Sequence, residues 1–236
     1  DGLNINKKAG SVSPKNLQDA VTLHNADMGI AFDGDGDRVI MVDEDGTLVD
    51  GDQLLFIIMQ FYIKEGYEFG GIVGTHMTNL AFEEKCKMQS IPFARANVGD
   101  RHVSEELDRR KWILGGENSG HILVKNLHST GDGIISALQV LSYLVKNKKN
   151  LKDALIEIKL YPQILINIPT ENKVNLKSNV VKNAIKESEI IMRGKGRTLI
   201  RASGTQPLVR VMTEGPVRAE VLKAAKFLTK KIEEII

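Results

Sequence analysis

Asp33, Asp35 and Asp37 occupy alternate positions in the string Phe32-Asp-Gly-Asp-Gly-Asp-Arg38, with glycines between them. In an extended or looped backbone, alternate side chains converge on one side. Three carboxylates so close repel one another unless a cation neutralises them, and hard oxygen ligands suit Mg²⁺ or Ca²⁺. The glycines let the backbone fold tightly around an ion. Arg38 adds a fixed charge and a planar fork of donors, a pairing that suits a phosphate touching both cation and arginine. Two other readings stay open here. Asp- and Gly-rich strings also form solvated turns. An EF-hand loop fits Asp33, Asp35, Asp37 and Glu44, but Arg38 stands where its sharp turn needs Gly. The flanks, Met28–Phe32 and Val39–Val42, are short apolar runs that predict strands, whereas an EF-hand needs helices.

A second constellation is Arg201-Ala-Ser-Gly-Thr205, followed by Gln206, Pro207 and Arg210. Gly204 lets an anion approach the backbone, Ser203 and Thr205 add hydroxyl donors, and successive N–H groups there can form an anion nest. Arg201 and Arg210 can both grip a phosphate. A β-hairpin loop rich in small residues is the competing reading. A third constellation, Gly115-Gly-Glu-Asn-Ser-Gly-His121, directly follows the strand expected to end at Leu114. Glu117 can accept from vicinal hydroxyls and Ser119 can donate or accept, which suits a polyhydroxylated ligand such as a sugar, with Asn118 alongside. The alternative is a plain strand–loop–strand connection, with His121 opening the next strand as a structural histidine.

These loops need elements to hold them. Asp52–Lys64 is apolar on nearly all sides and reads as a buried helix. Ile72-Val73 predicts a strand, Asn79–Met88 a helix, Phe93–Ala96 a strand, His102–Arg110 a helix and Trp112–Leu114 a strand. Asp132–Lys146 carries Ile134, Leu138, Leu141 and Val145 at helical spacing, with Thr130 or Asp132 able to cap it. The alternation predicts a layered α/β domain with a mixed or parallel sheet, whose ligand loops lie at the carboxyl ends of strands. A helix over Leu151–Leu160 ends near Tyr161-Pro162, where proline forbids simple continuation. Beyond that boundary a unit of about 75 residues reads βαββα, a size that supports only a modest core. Its elements are Gln163–Ile168, Ser178–Glu189, Arg197–Ala202, Leu208–Glu214 and the amphipathic helix Arg218–Ile235.

Composition bounds the function classes. The 236 residues are 42% hydrophobic and 26% charged, with a net charge of +2. That is a globular composition, and no basic stripe marks a nucleic-acid surface. Cys86 is the only cysteine, so no intrachain disulfide forms, and a reducing cytoplasm is the expected setting. No apolar stretch reaches membrane-spanning length and no signal peptide is read. The chain opens Asp1-Gly-Leu-Asn without an initiator Met, and is expected to be a piece of something longer.

As a set, the strings Ala31-Phe-Asp-Gly-Asp-Gly-Asp-Arg38, Val98-Gly-Asp-Arg101, Gly116-Glu-Asn-Ser-Gly-His121, Thr130-Gly-Asp-Gly133 and Arg201-Ala-Ser-Gly-Thr205 with Pro207-Leu-Val-Arg210 span nearly the whole chain. In their types and order the sequence resembles the α-D-phosphohexomutases, and within them the bacterial phosphoglucosamine mutases. The resemblance implies three parts: residues 1–48 as the carboxyl-terminal part of domain 2 with the metal loop, 49–161 as domain 3 with the sugar loop, and 162–236 as domain 4, a TATA-binding-protein-like α+β unit with the phosphate loop. An incomplete domain 2 would leave Asp1–Ser13 without sheet partners, with local disorder or a rearranged strand expected there. The resemblance also implies Mg²⁺ on Asp33, Asp35 and Asp37, with Arg38 beside the transferring phosphoryl group and His121 near it. It places sugar hydroxyls on Glu117 and Ser119 with Asn118 nearby, and the non-reacting phosphate on Arg201, Ser203, Gly204, Thr205 and Arg210.

The family reaction interconverts glucosamine 6-phosphate and glucosamine 1-phosphate, a step toward cell-wall amino sugars, through a phosphoserine enzyme and a bisphosphorylated sugar. Sister enzymes act on glucose or mannose phosphates, and a non-catalytic sugar-phosphate-binding module is the reading from another class. The family also implies a cytoplasmic enzyme and a possible homodimer of the full-length protein. Two departures stand out. No Thr/Ser-Ala-Ser-His-Asn-Pro-like nucleophile segment is present, so the chain alone is expected to be inactive and to bind Mg²⁺ weakly. Gln206 stands where the family usually has Glu, with a mild expected effect on loop electrostatics.

Overall fold

The computed structural model describes residues 2–170, 175–203 and 207–235, and its contacts divide the chain into two units, parted at Lys159–Leu160, with Asn79–Ala81 grouped with the second. The first unit opens with α1 (Lys15–His24), β1 (Met28–Phe32), β2 (Val39–Asp43) and β3 (Leu48–Val49). These strands make an antiparallel sheet in the order β1-β2-β3, with Phe32 opposite Val39 across the Asp-rich loop. Strands on both sides of that loop rule out the helix-flanked EF-hand.

The chain continues through α2 (Gly51–Glu65), β4 (Ile72–Thr75), α3 (Leu80–Met88), β5 (Phe93–Ala96), α4 (Asp100–Arg110), β6 (Leu114–Gly116), β7 (Ile122–Val124), α5 (Gly133–Asn147) and α6 (Leu151–Ala154). The second sheet runs β5-β4-β6-β7, with β5, β4 and β6 parallel and β7 antiparallel, which is the mixed sheet expected. The chain leaves β4 to one side for β5 and returns to the other side for β6. That reversal opens a crevice at the carboxyl ends of the strands. α2 packs against α5, β6 and β2, and Leu54, Leu55, Ile57 and Ile58 are almost wholly buried. Each such side chain contributes roughly 1.5–3 kcal/mol on burial, which is why a helix apolar all round is stable here. Its start is set by a capping box: Asp50 accepts from Gln53 N–H while the Gln53 side chain accepts from Asp50 N–H. Asp132 caps α5 by accepting from Ile135 N–H.

The second unit holds β8 (Gln163–Pro169), α7 (Asn179–Ile191), β9 (Arg197–Ala202), β10 (Leu208–Glu214) and α8 (Arg218–Glu233). Its antiparallel sheet runs β8-β10-β9. Ile168, Val181, Val209, Val211, Leu228 and Ile232 form its core. The βαββα order and the inward face of α8 match the sequence pattern.

Several expectations are corrected. The helix read over Leu151–Leu160 is a single turn, α6, followed by a turn in which Ile158 N–H bonds to Leu155 O. The turn buries Leu151, Ala154 and Ile158 while leaving Ile156 exposed, and the β-branched isoleucines there do little to favour a helix. The strand read over Trp112–Leu114 lies instead at Leu114–Gly116. Its two glycines serve as strand residues because the backbone packs closely: a Cβ on Gly115 would lie 2.8 Å from Val73 O. The apolar stripe on α5 faces outward; Ile134, Leu138 and Val145 are exposed, and the buried face carries Ser136, Ala137, Val140, Tyr143 and Leu144. Helix α1 was not expected, since its N-cap is Pro14 with no side-chain cap. Residues 2–13 contain no strand; they run as turns, pinned where Ser11 N–H donates to Phe32 O.

Candidate functional site

The loop between β1 and β2 brings Asp33, Asp35 and Asp37 together as the sequence implied, with a carboxylate oxygen of each within 4.8 Å of the others. Gly36, at φ +75°, makes the turn that returns the third carboxylate to the first. Arg38 N–H donates to Asp33 Oδ1 at 3.1 Å. Arg38 Nε lies 3.6 Å from Asp33 Oδ2 and 3.8 Å from Asp37 Oδ1, and is buried without a hydrogen bond. Burial, a hydrogen bond to Asp33 and the charges of Asp33 and Asp35 outweigh His121 and raise the Asp37 carboxyl above its usual range. Three hard oxygen donors in mutual repulsion are the donor set that a small divalent cation fits.

Thr130-Gly-Asp-Gly133 braces this loop from the start of α5. Gly133 N–H donates to Gly36 O at 2.9 Å, and a Cβ at Gly133 would lie 2.8 Å from Arg38 O. His121 joins the acidic loop to the loop at residues 117–120. Its Nδ1 is 3.0 Å from Asp37 Oδ2, and its backbone forms an isolated antiparallel bridge with Arg38. The ring is 97% buried, and a Cβ on Gly131 would lie 2.3 Å from Nε2. His121 therefore sits behind the acidic loop, at the wall of a cavity of about 240 Å³ that Asp100, Arg101, Ser104 and Thr130 also line.

Residues 117–120 turn between β6 and β7. The buried Glu117 accepts from Gly99 N–H through Oε1 at 2.9 Å, which ties this loop to the Val98–Arg101 string after β5. Ser119 Oγ is buried and makes no hydrogen bond, and Asn118 is exposed. A buried hydroxyl without a partner, two residues along the same turn from a carboxylate, offers what a sugar hydroxyl needs. Sequence reasoning missed the cleft beyond the ends of β4 and β5, about 410 Å³ and lined by His76, Arg95, Asn97, His102 and Arg109. Arg95 is fixed there by Glu83 and by the carbonyls of Thr75 and Thr78. Scattered single residues gave no motif by which the sequence could reveal it.

In the second unit, Arg201 and Arg210 stand directly opposite each other on β9 and β10. Both Nε atoms are buried without hydrogen-bond partners among the described residues, and burial together with the Arg210 charge lowers the Arg201 pKa. Ser203 N–H continues the ladder to Leu208 O. Gly204, Thr205 and Gln206 lie outside the described residues.

The chain matches the phosphoglucomutase/phosphomannomutase alpha/beta/alpha domain III over residues 50–161 and the C-terminal domain of the same family over residues 165–231. A phosphoglucosamine mutase from Methylobacillus flagellatus is 50% identical over 235 residues, which cover 99% of this chain and 52% of that protein. One from Histophilus somni is 47% identical over 237 residues, covering 100% and 52%. Among solved structures, Aspergillus fumigatus N-acetylphosphoglucosamine mutase in complex with GlcNAc-6P and magnesium aligns with a TM-score of 0.77 at 20% identity, over 98% of this chain and 53% of that one. A Burkholderia thailandensis phosphoglucomutase/phosphomannomutase family protein aligns at 0.75 and 19% identity, over 96% and 51%. The structural likenesses show a shared fold, and the chain spans about half the length of the curated relatives it matches. With two consecutive domain models matched and relatives at about half identity along its whole length, the chain belongs to the phosphoglucomutase/phosphomannomutase family.

Proposed function

We propose that the whole protein to which this chain contributes is a phosphoglucosamine mutase, interconverting glucosamine 6-phosphate and glucosamine 1-phosphate. The observation that carries the reading is the joining of the acidic loop, through His121, to a loop bearing a buried carboxylate and an orphaned hydroxyl. The names of the relatives at 47–50% identity support the choice of amino sugar.

In this reading Asp33, Asp35 and Asp37 hold Mg²⁺, which when bound offsets charge on the phosphoryl group. Arg38 keeps its guanidinium beside the same carboxylates and faces the transferring phosphate. His121 acts through Asp37, donating from Nδ1 and holding that carboxylate in place. Glu117, with Oε1 already engaged by Gly99, accepts from a sugar hydroxyl through Oε2, and Ser119 bonds a neighbouring hydroxyl while Asn118 lies at the loop's outer edge. Arg201 and Arg210, with Ser203, Gly204 and Thr205, take the phosphate that does not react. The three-part division at 1–48, 49–161 and 162–236 is proposed on the same basis. A Ser-His-Asn-Pro-like segment does not occur in these 236 residues, and the chain alone is proposed to bind sugar phosphate without turnover.

Calorimetric titration of the chain with glucosamine 6-phosphate and glucose 6-phosphate tests the binding half, with Arg201→Ala as control. Preference for the amino sugar that depends on Arg201 is expected. A coupled assay of the whole protein tests the chemistry. Turnover of glucose or mannose phosphates in preference to glucosamine phosphates would overturn the assignment, and sustained turnover by the chain alone would overturn its proposed inactivity.

A further inference from the structure

Gly51 is the first residue of α2, a position where most residues are tolerated and Ala is favoured over Gly by up to ~1 kcal/mol in a helix. Its backbone is not in the left-handed region, so conformation does not require glycine there. Packing does. A Cβ at this position would lie 2.1 Å from Glu117 O, 2.6 Å from Gly120 N and 2.8 Å from Gly120 Cα. All three are backbone atoms, which cannot swing aside as a side chain can. Gly51 N–H, one of the donors a helix start leaves without an intrahelical partner, donates to Asn118 O at 3.1 Å.

From this contact we infer that Gly51 is a positioning residue for the sugar loop: it sets how closely residues 117–120 seat on the start of α2, and thereby where the Glu117 carboxylate and Ser119 hydroxyl stand. The inference rests on the sugar-binding reading given above for that loop. The rest of the clamp is also backbone. Val39 N–H donates to Gly120 O at 3.1 Å, Gly120 N–H to Glu117 O at 3.0 Å, and Glu117 N–H to His121 O at 2.9 Å. A methyl group wedged at Gly51 pushes on the same carbonyl and amide that these bonds hold. The loop lifts, and the Gly99–Glu117 bond lengthens with it. The Asp50–Gln53 capping box fixes the other side of the contact by holding the helix start rigid.

The test compares Gly51→Ala with Gly66→Ala. Gly66 ends the same helix at φ +71° with nothing within 4 Å of an added Cβ, so its substitution strains α2 without touching the loop. Amide exchange on the 236-residue chain is expected to show Val39, Gly99, Glu117 and Gly120 exchanging roughly tenfold faster in Gly51→Ala and unchanged in Gly66→Ala. In the whole enzyme, Gly51→Ala is expected to lower kcat/KM for glucosamine 6-phosphate by about 100-fold, with KM carrying much of the change, while Gly66→Ala lowers Tm and leaves KM alone. A folded Gly51→Ala chain whose four amides stay protected as in the unaltered chain overturns the inference. So does unchanged kcat/KM in an active enzyme. Should Gly51→Ala fail to fold, Gln53→Ala decides: it loosens the helix start without adding an atom near the loop. About threefold faster exchange at the same amides is expected, and unchanged exchange overturns the inference. The exchange arm needs no substrate. A whole protein inactive on glucosamine 6-phosphate would therefore sink the functional reading and leave this arm standing.

Discussion

The loop at residues 117–121 and the β9–β10 hairpin hold their polar side chains by opposite routes. The first is held almost entirely by backbone: Gly51, Val39 and Gly99 each donate to it, and Gly120 fits where a Cβ would lie 2.0 Å from Val39 O. Its chemistry is poised because its frame is satisfied. The second faces two arginines across one cross-strand pair, a placement that costs stability when like charges oppose each other directly. Its chemistry is poised because its charge is not satisfied. The acidic loop shares features of both, with a braced backbone and three mutually repelling carboxylates. Substitution in the charged regions should therefore trade function against stability, whereas substitution in the clamped loop should cost function without that gain.

The largest expected effect is at the acidic loop. Asp37→Asn in the whole enzyme should lower turnover by about 10²–10³-fold, the scale of losing one preorganised electrostatic contact to a developing charge. Unfolding of the ion-free chain should move to higher temperature, since the variant removes a charge that burial and two like charges disfavour while keeping an oxygen for the buried His121 Nδ1. A coupled assay and a thermal melt with chelator check the two halves. Loss of both activity and stability would place Asp37 among structural residues and remove the contrast with the clamped loop.

Next comes the hairpin. Arg201→Ala should weaken inorganic phosphate or glucosamine 6-phosphate by about 10–150-fold, from charge-assisted bonds of roughly 1.5–3 kcal/mol. Relief of the Arg201–Arg210 repulsion should leave the second unit at least as stable as before. Titration calorimetry on the chain reads the first, and denaturant unfolding the second.

A smaller effect belongs to Asp50, which caps α2 beside the clamped loop. Burial raises its carboxyl to about 6. The folded chain therefore holds this proton more tightly than the unfolded chain does. The resulting stability is fully present below about pH 4, the ordinary range for aspartate, and is lost as pH rises through about 6. Asp50→Asn keeps an oxygen to accept from Gln53 N–H but carries no charge. It should unfold about 1–2 kcal/mol later than the unaltered chain at pH 7.5 and show little difference at pH 4. A pH-independent difference would mean that the charge at Asp50 is not what the burial opposes.

What was legible in the sequence follows the same division between chemistry and frame. Asp33, Asp35 and Asp37 were legible because their spacing alone brings like charges together. The strands beside them were legible because Met28–Phe32 and Val39–Val42 are short apolar runs with turn residues between. Arg201 and Arg210 were legible as a pair of cations flanking a small-residue turn, though not as directly opposed residues, which depends on register. The clamp was not legible. Gly51, Gly99 and Gly120 act through the absence of a Cβ or through an N–H, and no residue type or spacing announces which backbone will approach them. Glycines at 115 and 116 misled for the same reason: they read as loop, and the tight approach of Val73 O to Gly115 and of His121 O to Gly116 makes them strand.

The smallest expected effect is at Leu138 on α5, a helix whose sequence pattern pointed to the wrong face. Ile134, Leu138, Leu141 and Val145 recur at helical spacing, the signature of a core-facing stripe. Ile134, Leu138 and Val145 are 54–76% exposed, while Ala137, Val140, Tyr143 and Leu144 face inward. Both faces of this helix are apolar, so periodicity gave no basis for choosing; the choice belongs to Gly133, which must lie flat on the acidic loop, and to Asp132, whose cap fixes the helix's rotation there. Leu138→Gln should therefore change the stability of the chain by less than about 0.5 kcal/mol, the usual range for an exposed position. Val140→Ala, two residues away and fully buried, should cost about 1–3 kcal/mol through lost transfer energy and the cavity left behind. Denaturant unfolding of the two variants side by side reads the orientation of the helix directly, and a larger loss at Leu138 than at Val140 would turn α5 over.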